Sequence, residues 1–216
     1  MYKTQACAIS SQQFTVYIRQ VKIKYFENKM AKRALILLYP QNEENEVTTP
    51  YTVLKRGGVE CTLAGPTDEP VVGSSGMLIV PDMALCEAMK KGPYDVVVTA
   101  GGKFGWQSLS EDRDVGTVMR EQEKSGRLLA AICTSPIAMK AHGIMFGRRL
   151  TSYPRVENVV REGDNYIYKY DDVVTDRNLI TSRGHRTTFD WSIKVLEYVT
   201  DRETARRVAA EMLMID

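Results

Sequence analysis

Histidine is nearly absent from this chain. Of 216 residues only His142 and His185 carry an imidazole, and they stand far apart, so no multi-histidine metal site is indicated. The four cysteines, Cys7, Cys61, Cys86 and Cys133, make no Cys-x-x-Cys pair and follow no regular spacing. That pattern argues against a zinc knuckle and a disulfide framework, and favours reduced thiols in the cytosol or the mitochondrial matrix. An excess of charge is lacking too: Lys+Arg 29 against Asp+Glu 27 leaves a formal +2, which supplies no footprint for nucleic acid or an anionic membrane. No apolar run approaches the roughly 20 residues of a membrane span. Metal and cofactor are both expected to be absent.

The balance of charge is uneven along the chain. Residues 1–29 hold Lys3, Arg19, Lys22, Lys24 and Lys29 against Glu27 alone, which is +4 and leaves −2 for the remainder. This start lacks the continuous apolar centre of a secretory signal. It reads as a disordered extension or a mitochondrial targeting segment, and residues 30–216 as one domain.

What is present from Met30 onward is an alternation of strands and helices. "RALILLY" at 33–39 is continuously apolar, as in a parallel strand covered on both faces. A helix is expected over 44–56 despite Pro50, stopped by Gly57-Gly58, then a strand at 59–65. A β region at 76–82 precedes a helix at 84–91 that ends at Gly92-Pro93. "YDVVVTAGG", 94–102, reads as a core strand running into paired glycines, 112–125 as a helix closed by Gly126, and "LLAAI" as the next core strand. Residues 166–184 suggest a hairpin or two strands turning at 176–178, with helices near 186–199 and 201–213. The expected class is a doubly wound α/β fold with a mostly parallel sheet.

In such folds chemistry gathers at the carboxyl ends of the strands. Cys133 sits at one of them, where "LLAAI" passes into Thr134, Ser135 and Pro136, and proline suits a first helical turn. A thiol at a helix start is expected to have a lowered pKa and raised reactivity. The turn resembles a nucleophile elbow without the Gly-x-Ser-x-Gly signature; the alternative is a buried, inert cysteine, a description that suits Cys61 better. Glu43, Glu44 and Glu46 crowd another strand end. A desolvated carboxyl there would stay protonated and donate to sulfur, whereas glutamates at a helix start also serve simply as dipole partners. Gly101-Gly102 allows backbone N–H groups to approach an anion, or makes a plain turn.

Together, "RALILLYPQNEENEV", "PYDVVVTAGG", "GRLLAAICTSPIAMKAHGI", "LTSYP" and "NLITSRG" resemble the DJ-1/PfpI superfamily, over nearly everything from Ala31 to about Leu213. The resemblance implies a flavodoxin-like sandwich, a homodimer, and a readily oxidised cysteine at Cys133 partnered by a protonated Glu46. Backbone N–H groups of Gly101, Gly102 and Thr134 would hold the substrate oxygen or the oxidised sulfur.

Departures narrow the reading. Tyr153 stands where related proteins have a pocket histidine, and tyrosine, with an ordinary pKa of about 10, is a poor base at neutral pH. Thr134 stands where the peptidase branch has its histidine, so that peptidase arrangement is absent. Val80 replaces an additional interface cysteine, and His142 reads as structural. "SRGHRT" introduces His185 and Arg186 near the pocket, to supply a proton, bind an anion, or form a solvated loop.

Three functions follow from the resemblance: an oxidative-stress sensor acting through Cys133 sulfinic acid; a cofactor-independent glyoxalase or deglycase acting on small dicarbonyls such as methylglyoxal, or on glycated proteins and metabolites; and a chaperone-like dimer. The expected location is cytoplasmic, with mitochondrial or nuclear presence as further options.

Overall fold

Strand β1, Arg33–Leu37, lies in the interior of a seven-stranded sheet, and its surroundings explain its continuous apolar pattern. Ala34 and Ile36 face one hydrophobic cluster while Leu35 and Leu37 face another on the opposite side, so none of these four meets water. The computed structural model describes residues 31–215. The basic segment 1–29, with Cys7, lies outside the described residues.

The sheet continues on one side through β2, Glu60–Gly65, to β5, Met83–Ala84. On the other side come β6, Val96–Thr99; β7, Leu128–Ile132; β11, Leu179–Ser182; and β10, Val173–Asp176. All pairings in it are parallel except β10 with β11, a hairpin whose two-residue turn is Arg177-Asn178. Helices α1, Glu44–Arg56; α7, Thr188–Val199; and α8, Arg202–Glu211, cover one face. The other is covered by α2, Leu85–Lys90; α3, Gly105–Glu111; α4, Arg113–Ser125; α5, Pro136–Ala141; and α6, Glu157–Arg161.

The expected doubly wound architecture is what the chain forms. Pro50 falls inside α1 and removes one helical N–H, yet the helix persists because Val47, Val53 and Leu54 are buried against α7 and the sheet. Two local expectations need correction, and one helix was not expected. The 76–82 region contributes only β4, Leu78–Ile79, which pairs with β3, Val71–Val72, in a separate ribbon that leaves Val72, Leu78 and Val80 exposed. Within 166–184 the first strand, β9, Ile167–Tyr168, pairs with β8, Arg149–Leu150, instead of joining the hairpin. Helix α3 passes unseen in the sequence because "GWQSLSE" is rich in weak helix formers.

Chain order reverses at β1, whose connections lead to β2 on one side while β6 lies on the other. The loops after β1, β6, β7 and β11 therefore converge at this switch point, the place where open α/β sheets collect ligands.

Candidate active site

Cys133 closes β7 with φ 64, a left-handed backbone that a non-glycine residue adopts only under constraint. The constraint is visible on both sides. Its N–H donates to Ser182 O at 2.9 Å, and its carbonyl accepts from Tyr153 N–H at 2.8 Å. Beneath the turn, Ser135 Oγ accepts from Ile132 N–H at 3.0 Å and bonds Thr99, which ties the elbow to β6. The expected sharp strand-to-helix turn is thus present, and the thiol is 3% exposed.

Glu46 reaches this thiol from the first turn of α1. The loop before it is shaped by Asn42, whose Oδ1 accepts from Tyr39 N–H at 2.7 Å and whose amide donates to Ala100 and Gly101 carbonyls. Asn42 is buried and fixes the β1 loop to the β6 loop, a positioning role that sequence reading did not find. Glu46 itself is fully buried; Oε2 accepts from Gly101 N–H at 2.9 Å, while Oε1 has no hydrogen-bond partner. Burial pushes this carboxyl up to about 8, so near neutral pH it mostly holds its proton.

The acidic cluster is not one unit. Glu43 accepts from Ser74 Oγ at 2.6 Å, and Glu44 accepts from the N–H groups of Ser75 and Met77. Those backbone donors hold the Glu44 carboxyl below its usual range, against the opposing effect of burial. Replacing Glu44 by alanine is expected to release the 74–77 loop and cost about 1–2 kcal/mol, while Cys133 alkylation rates stay within about twofold. Chemical denaturation and iodoacetamide kinetics on one preparation check both.

The glycine pair has two different jobs. A Cβ on Gly101 would fall 2.6 Å from Thr134 N, and one on Gly102, at φ +121, would fall 2.1 Å from Gln41 O, so both positions require glycine. The expectation that Gly101 N–H holds a substrate oxygen is corrected, because that N–H is committed to Glu46. The N–H groups turned toward the Cys133 sulfur are those of Gly102 and Thr134.

The expected lowering of the Cys133 pKa is also reversed. Burial pushes the thiol up, and the negative charge of an ionised Glu46 pushes it further, against the Gly102 and Thr134 N–H groups. Helix α5 has only six residues and begins three positions beyond the thiol, so its dipole is a weak counterweight. The push from Glu46 vanishes when Glu46 is protonated, which makes the acid and the thiol one coupled system.

A cleft of about 390 Å³ opens onto Cys133, lined also by Thr134, Tyr153, His185 and Glu43. Gly102 also lines it, as do Lys103, Trp106, Arg155 and Val156, which sequence reading did not single out. Their only sequence signal was adjacency, Lys103 and Trp106 to the glycine pair and Arg155 and Val156 to Tyr153-Pro154. Arg186 is a correction: its guanidinium pairs with Asp172 at 2.6 Å and lines a neighbouring hollow, not this cleft. His142 has the structural role expected, with Nε2 2.8 Å from Leu109 O. Glu46, Cys133 and His185 put donor atoms within 4.8 Å of one another. Metal binding there would require the acid and the thiol to give up their protons.

The model of the DJ-1/PfpI family matches residues 32–198. Protein DJ-1alpha of Drosophila melanogaster is 45% identical over 199 residues, 90% of each chain. A glutathione-independent glyoxalase of Caenorhabditis elegans is 40% identical over 77% of this chain and 88% of its own. The crystal structure of Drosophila melanogaster DJ-1beta superposes with a TM-score of 0.82 at 39% identity, covering 85% of this chain and 98% of that one.

Proposed function

The chain belongs to the DJ-1/PfpI family, and on that premise we propose that it is an oxidative-stress sensor and cytoprotective protein acting through oxidation of Cys133 to the sulfinic acid. The observation that supports this most is the convergence on one buried sulfur of two backbone N–H groups and a buried acid with an unpartnered oxygen. In the first step the thiolate attacks a peroxide oxygen, the O–O bond breaks, and the departing hydroxide takes a proton to leave as water. A second equivalent of peroxide adds the second oxygen. The resulting sulfinate is an anion, and it is anions that Gly102 N–H, Thr134 N–H and protonated Glu46 stabilise.

The site is better suited to hold the product than to ionise the thiol, so oxidation is expected to stop at the sulfinic acid. Peptide mass spectrometry after graded peroxide should find two added oxygens on Cys133 while Cys61 and Cys86 remain largely reduced. Cys86 is exposed and Cys61, within β2, is pushed up to about 12 by burial. Oxidation of either before Cys133 would falsify the sensor.

A second reading, a cofactor-independent glyoxalase or deglycase, is favoured by the cleft that opens onto the sulfur and is large enough for a small dicarbonyl. Here Cys133 adds to the aldehyde carbon and Glu46 moves the proton. A chaperone-like dimer, the third reading, requires that Cys133→Ala protect cells from oxidant as well as the native chain does. A homodimer, and action in the cytoplasm with further mitochondrial or nuclear sites, belong to the same proposal. Among the described residues no helix is long and apolar enough to cross a membrane.

A further inference from the structure

The loop after β11 carries His185 into the Cys133 cleft, and neither the sensor nor the dicarbonyl reading has so far used it. Its Nε2 lies 3.9 Å from Glu46 Oε1, the oxygen without a hydrogen-bond partner, and its Nδ1 lies 3.6 Å from Glu43 Oε1. The ring is 54% exposed, whereas Glu46 is sealed from solvent. We propose that His185 is the proton-exchange group of this site, passing protons between the buried Glu46 and solvent, with Glu43 orienting its ring.

The argument is one of connectivity. A buried acid that must give and take a proton needs a path, and Oε2 is closed because it accepts from the Gly101 backbone. Only Oε1 is open, and His185 is the titratable side chain facing it from the solvent side. The separations are longer than hydrogen bonds, as is common before a ligand closes a site, and a small ring movement or one bridging water completes them. Imidazole is the side chain whose ordinary titration suits such relay work near neutral pH.

The other charged groups nearby do not replace it. Arg186 is held by Asp172, and Arg183 donates to Tyr170 O at 2.9 Å. Lys103 and Arg155 line the same cleft from the β6 and 154–156 sides and add positive charge to it.

For the enzymatic reading, on which this part rests, the step balances as follows. The Cys133 sulfur bonds to the aldehyde carbon of methylglyoxal, and the thiol proton passes to the carbonyl oxygen. Glu46, having first given its own proton to His185, takes the hydrogen from that carbon as a proton; the electron pair forms an enediolate, Glu46 returns the proton to the neighbouring carbon, and the proton on the first oxygen moves to the second. The resulting thioester is cleaved by one water to lactate and the thiol. His185 recharges Glu46 between these transfers and touches no reacting atom, so it is a positioning and relay residue.

The test uses the full chain as wild type, His185→Gln and His185→Ala. Methylglyoxal conversion by His185→Gln should lose about tenfold to a hundredfold in kcat with KM within about twofold. One limb of the pH profile should also disappear, and added imidazole should restore part of the rate of His185→Ala. In parallel, the pH profile of Cys133 alkylation by iodoacetamide should be displaced at least threefold in rate at some pH between 6 and 9 in His185→Gln. If wild type converts no methylglyoxal but the alkylation profile is displaced, the glyoxalase reading falls and the relay stands. Superimposable alkylation profiles, or unchanged kcat in an active enzyme, overturn the relay.

Discussion

Replacing Cys133 by serine is expected to lower methylglyoxal conversion by a thousandfold or more and to abolish peroxide-dependent modification of that peptide. The reasoning is chemical before it is structural. The proposed intermediate is a carbon–sulfur bond, and a serine hydroxyl beside a protonated acid has neither the polarisability nor the accessible anion to replace it. The substitution leaves the fold in place, because serine occupies a similar volume and the backbone bonds of the elbow, Cys133 N–H to Ser182 O and Tyr153 N–H to Cys133 O, do not involve the side chain. A retained melting transition beside lost chemistry is therefore the expected pair of observations. Conversion within about tenfold of the native chain would show that Cys133 is not the nucleophile, and equal protection of oxidant-treated cells by Cys133→Ala would remove the sensor as well.

Glu46→Gln is expected to change stability in a direction opposite to that of most buried substitutions. The folded chain holds the Glu46 proton up to about 8, far above the ordinary glutamate range of the unfolded chain. Below about pH 4 both states are protonated and the group carries no penalty. As pH rises, the unfolded chain loses this proton first, so the contribution to stability declines across roughly pH 4.5 to 8 and is then constant. At about 1.4 kcal/mol for each unit of separation, the decline amounts to about 3–5 kcal/mol. Glutamine keeps the acceptor for Gly101 N–H and removes the ionisation, so the variant should become the more stable protein at and above pH 8.

Other groups do not obscure the result. Glu44, Asp95, Glu157 and Asp176 are all held below their usual range, so their stabilising contributions are lost only in acid, and they cancel in the difference between the two proteins. The upward push on Cys133 acts only above the ordinary thiol range. Urea titrations at pH 5, 6.5 and 8 decide the matter. Parallel stability curves for native and variant chains would mean that Glu46 is not held protonated.

Much of this architecture can be read along the chain. Strands whose side chains feed two cores read as unbroken apolar runs, and α4 announces itself by Asp112 at its start and Gly126, φ 70, at its end. Cys133 was legible as a special position because the apolar run ends on it and Pro136 opens a helix just beyond. Less legible were elements whose existence depends on a distant partner. β9 takes β8, a pairing that no local pattern reveals.

The site divides along the same line. Residue types and their strand-end positions by themselves marked Cys133, the acidic cluster of Glu43, Glu44 and Glu46, and the glycine pair, because turn chemistry and burial are encoded within a few residues; the family resemblance singled out Glu46. Tertiary structure alone decided how they share protons: that Gly101 N–H serves Glu46 rather than a ligand, that burial raises the thiol instead of lowering it, that Arg186 turns to Asp172, and that His185 enters the cleft. Each of these depends on which loops the sheet order brings together and how completely they exclude water. Desolvation and through-space charge act between residues far apart in sequence, and only the folded chain sets those distances.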